Sequence, residues 1–179
     1  MKNKKIKFFK SINYALMKVD HKQIDNIKNI IQKIKKRAKM VYLFGNGASA
    51  TIADHLAIDF TKAAKVKSRT FNNSALMTCY SNDYGYKNFF KECIKSYVKK
   101  EDLCIFISSS GESENVVNAS KYCQKLKIKN ITLTGFKKNN RLSKTGLVNL
   151  YVDSMNYNVL ECVHQIILLS IVEDLRTYK

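Results

Sequence analysis

VYLFGNGASATIADHLAID, residues Val41 to Asp59, runs a short apolar strand into Gly45-Asn46-Gly47-Ala48-Ser49 and from there into a helix. Two glycines let the backbone turn tightly and come close to a ligand, and the N–H groups and positive dipole end of the following helix attract an anion. The segment therefore has the makings of a phosphate-binding turn. It is not a P-loop, because no Gly-Lys-Ser/Thr follows Gly47, and it is not the dinucleotide fingerprint, because GxGxxG is incomplete.

The same arrangement returns in LCIFISSSGESENVV, Leu103 to Val117. Here an apolar strand enters Ser108-Ser109-Ser110-Gly111 and then a helix that Ser113 is placed to cap. Taken alone, either turn reads equally as a tight strand-to-helix connection or a hydroxyl-rich loop. Both stand at the carboxyl end of a predicted strand, where open α/β sheets bind their ligands. Together they predict one pocket for a phosphorylated small molecule.

Outward from these turns, strands are expected near 40–45, 68–72, 103–107, 130–134 and 148–152, and helices near 49–63, 86–97, 113–126, 139–145 and 157–177. This alternation predicts a parallel, doubly wound sheet with helices on both faces. Ahead of it, Ile6, Phe9, Ile12 and Ala15 have helical spacing, as do Ile24, Ile27, Ile30, Ile31 and Ile34. Two amphipathic helices therefore precede the sheet, and their apolar stripes call for a partner surface. With no proline in the chain, breaks fall at glycine, asparagine and serine. The whole, residues 1–179, reads as one domain, with a helical extension over 1–39 and an αβα core over 40–179.

The 179 residues, 45% hydrophobic and 26% charged, suffice for a sizeable core. Five cysteines, Cys79, Cys93, Cys104, Cys123 and Cys162, contain no CxxC pair. An odd number without a signal segment is expected of a reducing cytoplasm. No run of about eighteen apolar residues is present, which excludes a membrane-spanning helix. The net charge of +18 is concentrated at the start, where residues 1–39 hold thirteen Lys/Arg against two Asp. No zinc finger, aromatic RNA-binding run or helix-turn-helix accompanies this excess. It reads as a solvated helix face rather than a nucleic-acid surface.

GNGASATIADHLAIDF, SNDYGYKNFF, ISSSGESENV, ITLTGF and VLECVHQIILL, in this order, resemble the phosphoheptose isomerase branch of the sugar isomerase (SIS) domain family, from about Val41 to Leu175. The resemblance implies a flavodoxin-like αβα sandwich and a homotetramer with active sites between subunits. It further implies an aldose-ketose isomerase acting on a sugar phosphate such as sedoheptulose 7-phosphate, supplying heptose to lipopolysaccharide or capsule. By the same resemblance, Ser108, Ser109, Ser110 and Ser113 hold the phosphate, Asn46, Gly47 and Ser49 line the sugar side, and Asp83 lies near the substrate hydroxyls. Asp83 is equally read as a turn residue before Gly85. His55 and Asp59, four apart on one helix face, stand where the family has His and Glu, the Glu being the proposed base. They also read as a surface helix contact.

Enediol chemistry needs a base for the carbon proton and an acid for the developing oxyanion, and here the chain departs from its relatives. Asp59 is one methylene shorter than Glu, Glu161 stands where the heptose enzymes have Gln, and Leu169 occupies the position of a catalytic or zinc-binding His. Glu161 is the candidate to take over, a carboxylate beside a bound dianion being pushed toward its protonated form. His164 is an alternative, read also as a packed core residue. The chemistry requires no cofactor, while His55, Asp59 and Glu161 could make an open three-ligand zinc site. A second reading is a phosphosugar-binding protein without catalysis, acting as a sensor or partner module. A third, nucleic-acid binding through the basic helices, predicts steep salt dependence.

Overall fold

Every residue of Val41–Gly45 and of Leu103–Ser108 is buried, so these strands lie inside a sheet covered on both faces. The computed structural model describes residues 2–176; Met1 and residues 177–179 lie outside it, including the last residue of the helix predicted over 157–177. In chain order the elements are α1 (Lys2–Lys18), α2 (His21–Lys36), β1 (Val41–Gly45), α3 (Ala48–Lys62), β2 (Ser68–Arg69), α4 (Ser74–Tyr84), α5 (Phe89–Tyr97), β3 (Leu103–Ser108), α6 (Glu114–Leu126), β4 (Lys129–Thr134), β5 (Val148–Tyr151) and α7 (Tyr157–Leu175). The five strands pair in parallel in the order β2-β1-β3-β4-β5, the flavodoxin-like order that the resemblance implied.

Side chains alternate across the sheet and sort the core into two layers. Val41, Leu43, Leu103, Ile105, Ile107, Ile131 and Leu133 face α1, α2, α3 and α7. Tyr42, Phe44, Cys104 and Phe106 face the other way, toward α5 and α6. There Phe44 stacks on Phe106 at 4.8 Å and meets Phe90 edge-on at 5.4 Å. Three of the cysteines, Cys93, Cys104 and Cys123, are buried in this second layer as small hydrophobes. Burial pushes the Cys93 thiol up to about 12.

Three sequence expectations are corrected. The strand expected over 68–72 is only Ser68–Arg69, because Phe71 leaves the sheet to stack on Tyr42 and Phe44, each at 5.6 Å. The helix expected over 139–145 is a single 3-10 turn, Leu142–Lys144, closed when Asn140 accepts from the Ser143 N–H and Thr145 Oγ1 donates to the Leu142 carbonyl. The third is α4, which was not anticipated. It is capped by Asn73, whose side chain accepts from the Leu76 N–H at 3.0 Å, and it fully buries none of its residues.

Register is what positions the site. Gly45 pairs with Ile107 at the carboxyl end of the sheet, so the chain leaves β1 and β3 side by side. After β1, Gly47 takes φ +53 and ψ −125, a conformation that costs residues with a Cβ dearly. A Cβ on Gly45 would lie 2.6 Å from the Ser49 carbonyl carbon, so the start of α3 sits directly on the strand end.

Candidate active site

From β1 the chain turns to β2 on one side of the sheet and then crosses to β3 on the other. The adjacent ends of β1 and β3 are therefore a topological switch point, where open α/β sheets leave a crevice. A hollow of about 110 Å³ lies there, lined by Asn46 and Ser49 from the first turn, by Ile107, Ser108, Ser109, Ser110 and Ser113 from the second, and by Tyr157 and Glu161 of α7. Larger surface hollows exist along α3 and β2 and beside Lys18, Lys138 and Lys144, but neither lies at the switch point.

Hydrogen bonds bind the two turns into one unit. Asn46 Nδ2 donates to Asn115 Oδ1 at 2.8 Å, Asn115 Nδ2 donates back to Asn46 Oδ1 at 3.0 Å, and the Tyr86 hydroxyl donates to the same Asn46 oxygen at 3.0 Å. The Ser108 hydroxyl accepts from the Gly111 N–H and donates to Ser113 Oγ at 3.4 Å. Ser113 opens α6 through its carbonyl, which accepts from the Val117 N–H, and its hydroxyl makes no cap bond, contrary to the expected side-chain cap. Ser110 Oγ accepts from the Glu112 N–H. Ser109 differs from all of these. Its hydroxyl is buried in the wall of the hollow with no hydrogen-bond partner among the described residues, a state that costs about 1–3 kcal/mol.

Among the described residues no lysine or arginine lines the hollow. Attraction for an anion comes instead from the amino ends of α3 and α6, which begin at Ala48 and Glu114 beside the two turns. Serine hydroxyls add donors that rotate to suit a tetrahedral oxyanion. The Glu161 carboxylate faces the same space and disfavours a second negative charge unless one of the two groups is protonated.

The other sequence-predicted residues lie outside this hollow. Gly47 shapes the first turn without lining it. Asp83 is exposed near the end of α4, where it accepts from Asn82 Nδ2 at 3.0 Å. His55 and Asp59 pair along α3, Nε2 to Oδ2 at 3.1 Å. Asp59 shares a hollow of about 380 Å³ with Leu169 and with Lys62, Lys65, Glu173 and Arg176. His164 points into the core, fully buried, and neither ring nitrogen has a hydrogen-bond partner among the described residues.

Burial pushes the His164 imidazole down to about 4, with the Thr134 backbone acting in smaller measure the other way. The unfolded ring takes its proton near pH 6.5, so between pH 6.5 and 4 the unfolded state binds a proton that the folded state refuses. Stability falls with pH across that window, by about 2–3 kcal/mol at pH 4.5. His164→Leu is expected to flatten this dependence, read as the difference in urea midpoint between pH 7 and pH 4.5 for the two proteins.

Sequence reasoning missed Asn115, Tyr86, Tyr157 and Gln165. Asn115 follows the serine turn within a quoted motif, and Gln165 lies four residues after Glu161 on the same helix face; these were the available signals. Gln165 Nε2 lies 3.0 Å from His55 Nδ1. Both His55 nitrogens are thereby engaged, and among the described residues no three His, Cys, Asp or Glu side chains gather into a metal-holding group. The expected zinc set of His55, Asp59 and Glu161 does not fit the metal as arranged here.

Residues 7–135, from α1 to the end of β4, match the SIS domain family. The chain belongs to the SIS domain family. The match stops before α7, so Glu161, Gln165 and Leu169 of this SIS domain lie beyond it. The phosphoheptose isomerase of Aliarcobacter butzleri (strain RM4018) is 33% identical over 147 residues, which cover 79% of this chain and 77% of the relative. A phosphoheptose isomerase from Francisella tularensis superposes with a TM-score of 0.88 at 22% identity, covering 97% of this chain and 96% of that one. Phosphoheptose isomerase GmhA from Neisseria gonorrhoeae gives 0.85 at 20% identity, covering 95% and 94%. These two structures show that the SIS fold is shared along nearly the whole chain.

Proposed function

We infer that the protein is a phosphosugar isomerase of the phosphoheptose type, interconverting aldose and ketose with the phosphate held at the serine turn. The observation that carries this reading is the buried, unpartnered hydroxyl of Ser109 between two helix amino ends. A phosphate oxygen satisfies it with a charge-assisted hydrogen bond. The names of the curated relatives supply the sugar class, a phosphoheptose, and we take sedoheptulose 7-phosphate as its representative.

A carboxylate takes the proton from C1 of the ketose while an acid protonates the C2 oxygen, giving an enediol. Return of a proton to C2 and loss of one from the C1 hydroxyl completes the aldose. Asp59 and Glu161 are assigned as this acid/base pair. His164, on the same helix as Glu161 but held in the core, is left with a structural role in packing that helix. Asn46 and Ser49 meet the sugar next to the phosphate, and Gly47 keeps their turn in shape.

A hollow of about 110 Å³ holds a phosphate-sized group, whereas sites that enclose a whole small ligand run to about 300–1,000 Å³. The sugar chain must extend past it, toward surfaces completed by another copy. The exposed helix α4, with Asp83 near its end, and the half-exposed Tyr84 and Tyr86 support a homo-oligomer, in our reading a tetramer, with shared sites. No helix among the described residues is long and apolar enough to cross a membrane. We place the protein in the cytoplasm, in heptose supply for a surface polysaccharide.

The test is a screen of five-, six- and seven-carbon sugar phosphates for solvent-proton exchange at C1 or C2. Exchange is expected with a seven-carbon ketose phosphate. Its absence with every sugar phosphate contradicts the assignment.

A further inference from the structure

α3 and α7 meet through a row of polar contacts that no motif predicts: a hydrogen bond between Gln165 Nε2 and His55 Nδ1 at 3.0 Å, and a close pairing of His55 Nε2 with Asp59 Oδ2 at 3.1 Å. The chemistry of the three groups sets its direction. An ionised carboxylate only accepts, so the nitrogen that faces it, Nε2, is the one that carries the hydrogen. A neutral imidazole then offers a lone pair at Nδ1, so Gln165 must present its amide N–H there. Of the uncharged side chains long enough to reach across, an amide supplies that donor where methionine supplies none.

We propose that Gln165 is a positioning residue for the isomerisation. By donating to Nδ1 it fixes the rotation and tautomer of His55, which in turn holds the Asp59 carboxylate in one orientation. This rests on the reading that Asp59 is part of the acid/base pair. Asp59 gains from such support because its side chain is 30% exposed and His55 is its one close polar partner among the described residues. Its stem is also one methylene shorter than that of Glu, which leaves the carboxylate less reach. A misplacement of about 1 Å in a reacting group costs on the order of a hundredfold in rate.

Gln165→Met keeps length and helix propensity and removes only the donor. The expected result is a kcat about tenfold to a hundredfold lower, with KM within about twofold and an unchanged melting temperature. In ¹⁵N spectra under alkaline conditions, His55 of the unaltered protein should show a protonated Nε2 and a hydrogen-bonded, unprotonated Nδ1. In Gln165→Met the Nδ1 signal should move toward that of an unbonded ring nitrogen. A wild-type protein that turns over a sugar phosphate together with a Gln165→Met variant of equal kcat overturns the proposal alone, as does a His55 protonated at Nδ1. A wild-type protein without turnover overturns the isomerase reading and this proposal with it.

Discussion

Ser109→Ala is expected to lower the affinity for a sugar phosphate by about tenfold to a hundredfold and to leave the unliganded protein at least as stable as before. The opposite signs follow from one fact. The Ser109 hydroxyl is buried without a partner among the described residues, so the unliganded fold carries a desolvation cost of about 1–3 kcal/mol that alanine removes. In the complex the same hydroxyl donates to a charged oxygen, worth about 1.5–3 kcal/mol, and each 1.4 kcal/mol is tenfold in affinity. Ser108→Ala is the contrast. That hydroxyl accepts from Gly111 and donates to Ser113, so its loss lowers stability and affinity together. Calorimetric titration and a thermal melt in phosphate-free buffer read both quantities. A Ser109→Ala protein that is less stable and binds as well as before would show that the hydroxyl serves the turn and not a ligand.

Glu161→Gln is expected to reduce turnover by about a hundredfold to ten-thousandfold, the range that a positioned acid or base contributes, while sugar phosphate binding holds or tightens. Glu161 lines the hollow proposed to take the phosphate, and among the described residues no Lys or Arg lines that space. Replacing the carboxylate with a neutral amide of the same size therefore relieves repulsion as it removes the proton carrier. Asp59→Asn should also abolish turnover, without the gain in binding, because Asp59 lies outside the phosphate hollow. Steady-state kinetics with a separate binding measurement distinguishes the two. Turnover of Glu161→Gln within about tenfold of wild type would remove Glu161 from the chemistry.

What could be read from the chain alone followed from local pattern. Val41–Gly45 and Leu103–Ser108 announce themselves as apolar runs broken by small residues, and their shared edge follows from parallel pairing. Helix α4 was invisible because it presents no apolar stripe; its one local sign is the Asn73 cap. Phe71 looked like a continuing strand residue because periodicity cannot show that its ring turns aside to stack on Tyr42 and Phe44. The Asn46–Asn115 pair and the Gln165–His55 contact join residues 69 and 110 positions apart, and no spacing rule reaches that far. His164 fits a core face and a site face equally in sequence, and only its complete burial separates them.

The most direct test of the account is the structure of the protein bound to sedoheptulose 7-phosphate. The predicted result places the phosphorus between the Asn46 and Ser108–Ser110 turns, with one of its oxygens within hydrogen-bonding distance of Ser109 Oγ. A phosphate seated elsewhere, for instance in the basic hollow of Lys18, Lys138 and Lys144, with the Ser109 hydroxyl still unpartnered, would contradict it.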